Sequence, residues 1–483
     1  MCGIAGFVAH DGIGPDDRER LVRMRDVLTH RGPDDAGLYM DGVAALGHRR
    51  LSIVDVAGGR QPLSNETDTV WTVFNGEIYN HAELRAELQR AGHTYVTRSD
   101  TETLVHAYEE WGDACVERLR GMFAFAIWDT ARQRLLLARD RLGIKPLYWA
   151  RAGSRLVFGS EIKAILESGF VEARANEAAL PELLAMRSLA GTRHCSPASA
   201  GCRPVHVLSF AGDRAILKRY WDVPAPPAAG TRSGSREDDT RRFRGMLEES
   251  IRLRLMSDVP LGVFLSGGID SSAIAALMAP MVGRTLDTFS VAFADRAHNE
   301  LASPAPWRPP SVRAHEIVID DRDFFTALPR AVWHEDEPVA HPSSIPLHFV
   351  SALARRHVKV VLTGEGSDEL LAGYGRYPRA LLNWSLGAPT STSRRPCDGQ
   401  RAPARSMRPA GSALRAPVLP GGGPRARDDL LRQLRRHRHR APAELLAAPG
   451  GRRLPRTAPT ANWWTGSRGR DAAACSIACS TRT

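Results

Sequence analysis

Two segments constrain this 483-residue chain more than any other. VPLGVFLSGGIDSSAIAAL (Val259–Leu277) reads as an apolar strand, a glycine-rich turn and a helix. VKVVLTGEG (Val358–Gly366) repeats the strand and the glycine turn, now with a carboxylate between glycines. A short unbroken apolar run that stops at glycine fits a strand buried on both faces. Such strands alternating with helices fold as a parallel sheet with helices on its faces. LDTFSVAF (Leu286–Phe293) adds a strand of this kind, and RRFRGMLEESIRLRLM (Arg241–Met256) adds a helix. A doubly wound parallel sheet is therefore predicted for the second half of the chain. In SGGIDSS (Ser266–Ser272) the glycines let backbone N–H groups approach an anion, and the helix N-terminus adds a favourable dipole. The Walker pattern, GxxxxGK followed by Ser or Thr, is missing.

Residues 1–190 predict a separate compact α/β region. VWTVF (Val70–Phe74) reads as a strand and NGEIYN (Asn75–Asn80) as a turn. HAELRAELQRAG (His81–Gly92) places Leu84 and Leu88 on one helix face and stops at glycine. MFAFAIWD (Met122–Asp129) and RLLLARD (Arg134–Asp140) read as two strands joined by a polar turn. The Pro/Ala/Gly/Ser-rich stretch Val223–Ser235 reads as a linker.

Cys2 follows Met1 directly, and Gly3 is small. Removal of Met1 would place a thiol and a free α-amine on one residue. An α-amine with a pKa of roughly 7.7–8.0 can take the thiol proton near neutrality. Thiolate is the attacking species, so such a residue is a self-contained nucleophile and base.

The formal charge of +11 is unevenly placed. From Ser385 onward there are 19 Arg, no Lys, four Asp and one Glu, a net of +14. The preceding residues therefore carry −3, an ordinary balance that predicts no specific nucleic-acid partner. At 43% hydrophobic and 25% charged, the chain has the composition of two or three ordinary domains. No apolar run reaches the ~18 residues of a membrane span, and the first residues lack the pattern of a secretory signal. A cytoplasmic location is expected. The seven cysteines show no zinc-ligand spacing.

Three segments break the pattern: Cys195–Val205, Ser303–Arg313 and everything after about Ser385. The last has no Phe, Tyr or Lys and is dominated by Arg, Ala, Pro and Gly, which cannot bury an ordinary core. With GC-rich codons the first two segments read sensibly in a neighbouring frame. Reading-frame errors, two compensated and one not, are one explanation; a natural low-complexity tail is the other.

CGIAGF at the start, HRGPDD (His30–Asp35), RRLSIVD (Arg49–Asp55), FNGEIYN (Phe74–Asn80) and RSDTE (Arg98–Glu102) occur in the order and spacing of a known glutaminase domain. In this the chain resembles class II glutamine amidotransferases, and strongly resembles glutamine-hydrolysing asparagine synthetases. The resemblance implies a four-layer αββα Ntn-hydrolase domain over residues 2–215, with Cys2 as nucleophile. It implies that Arg50, in the segment with Leu51, Ser52, Ile53 and Val54, binds the glutamine α-carboxylate. It implies Asp100, with Glu77 nearby, for the α-ammonium, and Asn75 and Gly76 as the oxyanion hole.

Over residues 236–384 the resemblance implies a PP-loop ATP pyrophosphatase domain. Leu265, Ser266, Gly267, Gly268, Asp270, Ser271, Val291, Thr363 and Gly364 match its ATP positions. Asp270 and Asp368 match its Mg²⁺ ligands, and Glu365 a residue important for forming the acyl-adenylate. The implied reaction frees ammonia from glutamine, passes it through an internal tunnel and joins it to aspartate activated as β-aspartyl-AMP. The family often dimerises, so a homodimer is among the expectations.

The tail, 385–483, departs from this family. It has no Lys for the family's late phosphate contact. The patch after HNE (His298–Glu300) disturbs the region of acceptor recognition. Three readings stay open: an asparagine synthetase, an amidotransferase for another carboxylate acceptor, and a product of a damaged gene. The last would retain at most glutaminase activity and bind nucleic acid only incidentally through its arginines.

Overall fold

The computed structural model describes residues 1–189, 194, 196, 200–225, 234–294, 311–339 and 341–387. One compact unit takes in residues 1–366, and a second begins at Ser367.

Two six-stranded sheets build the N-terminal half. The first runs in the order Ala200–Gly201, Tyr148–Ala152, Arg155–Gly159, Gly3–Ala9, Ala44–Arg50, Asp35–Met40. The second runs Arg214–Arg219, His206–Ala211, Arg134–Arg139, Gly121–Asp129, Val70–Ile78, Leu63–Ser64. All neighbouring strands in both sheets are antiparallel.

Both faces of each central strand are apolar, and the cores show why. Ile4, Val8, Leu46 and Phe158 of the first sheet pack with Val73, Ala126, Trp128 and Leu137 of the second. The far face of the second sheet packs on the helices His81–Arg90 and Asp100–Trp111 through Phe74, Ile127, Leu84, Leu88, Leu104 and Val105. The far face of the first packs on the helices Asp17–Asp26 and Ile162–Leu166 through Phe7, Val157, Leu21, Met24 and Ile165. Four layers result: helix, sheet, sheet, helix.

Only Tyr79 and Asn80 of NGEIYN form the expected turn. The strand Val70–Ile78 takes in Asn75–Ile78, with Asn75 opposite Ala124 and Gly76 opposite Phe123. Pairing with the buried strand Gly121–Asp129 overrides the local turn preference of Asn-Gly. The helix His81–Arg90 follows as expected, with Gly92 at φ +107° beyond its end.

The second half holds a parallel sheet in the order Val312–Ile319, Leu286–Phe293, Leu261–Phe264, Val360–Leu362. The chain leaves Leu261–Phe264 toward one edge of the sheet and returns to pair on the other side of it. That reversal is a topological switch point, where open α/β sheets bind ligands at their carboxyl ends. The expected strand Val358–Gly366 keeps three ladder residues, because Gly364 turns to pack beside Asp270 and Ser271. The helix expected over Arg241–Met256 begins earlier, at Arg236, behind a capping box of Ser235 and Asp238.

Of the expected linker Val223–Ser235, residues 226–233 lie outside the described residues. So do 195, 197–199, 303–310 and everything from 388 onward. The described part of the first irregular patch does fit the fold. Ala200–Gly201 pairs with Tyr148 and Trp149, and Cys202 is buried in the core between the sheets. Val312 and Arg313, at the end of the second patch, belong to the parallel sheet. No helix among the described residues is long and apolar enough to cross a membrane.

Candidate active sites

The strand Gly3–Ala9 is wholly buried and sets Gly3 opposite Arg49. Cys2 therefore lies beside the segment that leaves Arg50. The Leu51 N–H points at Cys2 Sγ at 3.4 Å, and Arg31 Nε donates to the Cys2 carbonyl at 3.1 Å. Arg31 Nη1 donates to Glu161 Oε1 at 2.7 Å, and His30 Nε2 lies 2.9 Å from the same oxygen. Burial alone would raise the Glu161 pKa, but His30, Arg31 and Lys163 hold it well below the carboxylate range.

Desolvation pushes the Cys2 thiol up and the Met1 amine down to about 4. At this depth an α-amine is neutral near pH 7. Lys145 is buried beside them, with Nζ 2.9 Å from Met1 Sδ, and burial lowers its pKa to about 8.

Arg50 is buried at the end of its strand. Its guanidinium donates to the carbonyls of Val54 (3.1 Å), Asp55 (2.6 Å) and Val56 (3.0 Å). These bonds close the loop carrying Ser52, Ile53 and Val54. Ser52 N–H donates to Asp34 Oδ2 at 2.9 Å, and Ile53 O accepts from Asp258 N–H at 3.0 Å. Among the described residues no carboxylate pairs with Arg50. A buried guanidinium satisfied only by carbonyl dipoles remains a site for an anion.

Asn75 is 1% exposed, and neither its Oδ1 nor its Nδ2 has a hydrogen-bond partner. Such an orphan is uncommon and costs about 1–3 kcal/mol. Gly76 lies where nothing larger fits: a Cβ there would sit 2.2 Å from Met122 O. Glu77 Oε2 is also buried without a partner. Burial first, and the Asp100 charge second, push the Glu77 carboxyl well up. Asp100 opens the helix Asp100–Trp111 behind the Ser99 cap, and its Oδ2 accepts from Ile78 N–H at 2.8 Å. Burial raises its pKa to about 6 despite the N–H donors.

Electrostatic coupling brings these groups together: Cys2 feels Glu77 and Arg50, and Glu77 feels Asp100 and Lys145. Sequence reasoning missed Arg31, Lys145 and His48. His48 is fully buried, with Nε2 3.1 Å from Phe74 O, and burial drives its pKa down to about 3. For Arg31 a signal existed, since it sits inside HRGPDD. Lys145 and His48 carry no signal beyond charge inside apolar sequence.

The second candidate site lies at the switch point of the parallel sheet. Leu265 is buried and its N–H donates to Phe289 O at 2.9 Å, extending the strand into the turn. Gly267 adopts φ +85°, which favours glycine. Ser266 N–H donates to Ser271 Oγ at 3.2 Å, and Gly268 N–H to Ser266 Oγ at 3.3 Å. Gly268 precedes the helix Ile269–Val282, and no side chain caps its first turn. The turn is exposed, so its open N–H groups face water.

Across the switch point, Thr363, Gly364 and Glu365 follow Val360–Leu362. A Cβ on Gly364 would stand 2.9 Å from Ser271 N and 3.2 Å from Asp270 Cβ. Val291 lies on the neighbouring strand Leu286–Phe293. Asp368 belongs to the second unit, where it falls in the first turn of the short helix Ser367–Leu371.

Comparison with known proteins agrees with this division. A glutamine amidotransferase domain matches residues 1–221, and an asparagine synthase domain matches residues 242–474. The glutamine-hydrolysing asparagine synthetase 3 of Bacillus subtilis is 37% identical over 393 residues, 77% of this chain and 63% of that protein. Its asparagine synthetase 1 is 38% identical over 387 residues, 79% of this chain and 60% of that protein. The chain thus spans about three-fifths of the length of these relatives. A Methanocaldococcus jannaschii relative, provisionally named glutamine-hydrolysing asparagine synthetase 2, is 30% identical over 399 residues. That alignment takes in 77% of this chain and 76% of the relative. With an amidotransferase domain preceding a parallel-sheet ATP-binding domain, the chain belongs to the family of glutamine-hydrolysing asparagine synthetases.

Proposed function

We propose that the N-terminal domain hydrolyses glutamine as an Ntn-hydrolase and that the parallel-sheet domain uses the ammonia, with ATP, to amidate aspartate. The observation that carries the first half is the buried, unpartnered Asn75 amide on the second sheet, together with a buried Arg50 at the end of a strand of the first sheet that pairs with no carboxylate among the described residues. Both are polar groups held ready for something the protein does not itself supply.

Removal of Met1 is the first step of this reading. The α-amine of Cys2 then takes the thiol proton, and the desolvation that keeps the Met1 amine neutral favours that role. Sγ attacks the side-chain carbonyl carbon of glutamine. Asn75 Nδ2 and the Gly76 N–H stabilise the oxyanion. The C–N bond breaks, the leaving nitrogen takes the proton from the α-ammonium, and ammonia departs. Water then cleaves the γ-glutamyl thioester and releases glutamate. Arg50 binds the glutamine α-carboxylate from the Leu51–Val54 segment, and Asp100 with Glu77 binds its ammonium.

The Ser266–Ser272 turn and the uncapped helix behind it suit phosphates, in the manner of a PP-loop. Leu265 leads into the turn, Val291 lies on the neighbouring strand, and Gly364 brings the second glycine turn against Asp270 and Ser271. The carboxylate of Asp270 suits Mg²⁺, which would neutralise phosphate charge. Glu365 is the residue proposed to assist formation of β-aspartyl-AMP. Ammonia displaces AMP from it to give asparagine.

Because residues 385–483 have a composition that cannot bury an ordinary core, glutaminase chemistry is expected to be better kept than synthetase chemistry. The assay supplies glutamine, aspartate and ATP·Mg²⁺ and follows glutamate, pyrophosphate and asparagine separately. Glutamate in excess of asparagine is the expected result. Asparagine formed in step with glutamate would contradict the imbalance, and no glutamate at all would contradict the whole reading. Compositional contrast alone supports the proposal of reading-frame disturbance in 195–205, 303–313 and 385–483. An undisturbed frame in the gene across those codons would refute it.

A pH dependence follows from Asp100. Its carboxyl titrates near 6 and must be ionised to pair with an ammonium. The KM for glutamine should rise as pH falls through about 6, by up to about tenfold per unit. A KM that stays flat from pH 7 to pH 5 would remove Asp100 from ammonium binding.

A further inference from the structure

We propose that His93, His106 and Glu109 form a site for one divalent transition-metal ion of zinc type, with water completing its shell. His106 and Glu109 lie on the helix Asp100–Trp111, and His93 lies on the loop before it. One ligand atom from each residue lies within 4.8 Å of the other two. His106 Nδ1 lies 3.2 Å from Glu109 Oε2, and His93 Nδ1 lies 3.7 Å from the same oxygen. Zinc bonds of roughly 2.0–2.1 Å set tetrahedral ligand atoms about 3.3 Å apart. The two separations lie within a few tenths of an ångström of that edge.

Two imidazole nitrogens converge on one carboxylate oxygen, with the rings 5.1 Å apart. A metal would take one nitrogen from each ring.

The groups behind these three fit the same reading. Metal-bound histidines donate their other ring N–H to an acceptor that fixes tautomer and orientation. His93 Nε2 lies 3.3 Å from Glu110 Oε2. His106 Nε2 is buried without a hydrogen bond, and Glu102 Oε1 faces it at 3.8 Å. Glu102 is itself fixed by Val96 N–H, Thr97 N–H and the Thr97 hydroxyl at 2.6–2.7 Å. Asn65 Nδ2 donates to Glu109 Oε1 at 2.6 Å, leaving Oε2 for the ion. The Tyr95 ring packs 4.6 Å from His106. The His106 side chain is 1% exposed and that of Glu109 26%, so the site has a fixed floor and an open side.

An ion here would fasten the His93 loop to the helix that Asp100 opens. Its role is to hold that helix, and the glutamine chemistry does not require it.

The test uses the full-length protein, stripped of metal with a chelator and titrated with Zn²⁺ and then Co²⁺. One equivalent of Zn²⁺ should stay bound through gel filtration. Co²⁺ should give visible tetrahedral bands without near-ultraviolet thiolate charge transfer, because no cysteine is a ligand. Glu110→Gln should weaken binding by about 10- to 100-fold. His93→Gln should abolish the cobalt bands, and so should Glu109→Gln, whose amide oxygen still offers Asn65 Nδ2 an acceptor. Lack of saturable uptake by the wild-type protein would overturn the proposal. So would cobalt bands unchanged in Glu109→Gln and His93→Gln, which would locate the ion elsewhere.

Discussion

Replacement of Cys2 by alanine should abolish glutamine hydrolysis, with a loss on the order of 10⁴ or more in kcat, because covalent attack has no substitute in the site. Leu51 N–H and the Arg31 contact to the Cys2 carbonyl fix the residue at the mouth of a buried strand. Met1 precedes it, and the desolvated thiol resists ionisation. Reactivity therefore depends on the amine that processing would expose. Ammonia-dependent ATP turnover should be untouched in Cys2→Ala, since the phosphate turn lies in another sheet. Coupled steady-state assays with glutamine or ammonium chloride as donor measure both. Residual glutaminase activity near wild type would remove Cys2 from the chemistry.

Asn75→Ala carries the second-largest expectation. Loss of one preorganised oxyanion donor typically costs about 10²–10³ in kcat. The stability effect has the opposite sign to an ordinary core truncation. Both polar atoms of the Asn75 amide are buried and unpartnered, so their removal relieves a desolvation cost of about 1–3 kcal/mol. The variant should unfold at the same denaturant concentration as wild type or a higher one, with glutamine turnover reduced at least about a hundredfold. Equal activity would show that the amide faces nothing reactive. A large drop in stability would show that Asn75 serves the sheet.

Much of this fold is legible in the sequence because its central strands are long apolar runs. Met122–Asp129 and Leu286–Phe293 could be nothing but buried strands, and Leu84 with Leu88 marks a helix face. FNGEIYN shows where local reading fails. Asn-Gly is turn chemistry, but the ladder with Gly121–Asp129 draws both residues into a strand. There they present an amide and a close backbone approach. Cys2, Arg50 and Asp100 are candidates through the family resemblance that the order of their motifs carries. Arg31, Lys145 and His48 are not, because their properties come from burial, which no local pattern encodes. Cys202 shows the same limit: the segment Cys195–Val205 is compositionally odd, while the Cys202 side chain fills the core between the sheets.

The central claim is that a processed Cys2 forms a covalent bond to the glutamine side chain. Intact-mass and peptide analysis of the purified protein, after reaction with a diazoketone analogue of glutamine, tests it most directly. A single adduct on an N-terminal peptide beginning at Cys2, blocked by excess glutamine, is the predicted result. A peptide that still begins at Met1 and carries no adduct, from protein that leaves glutamine intact, would contradict it.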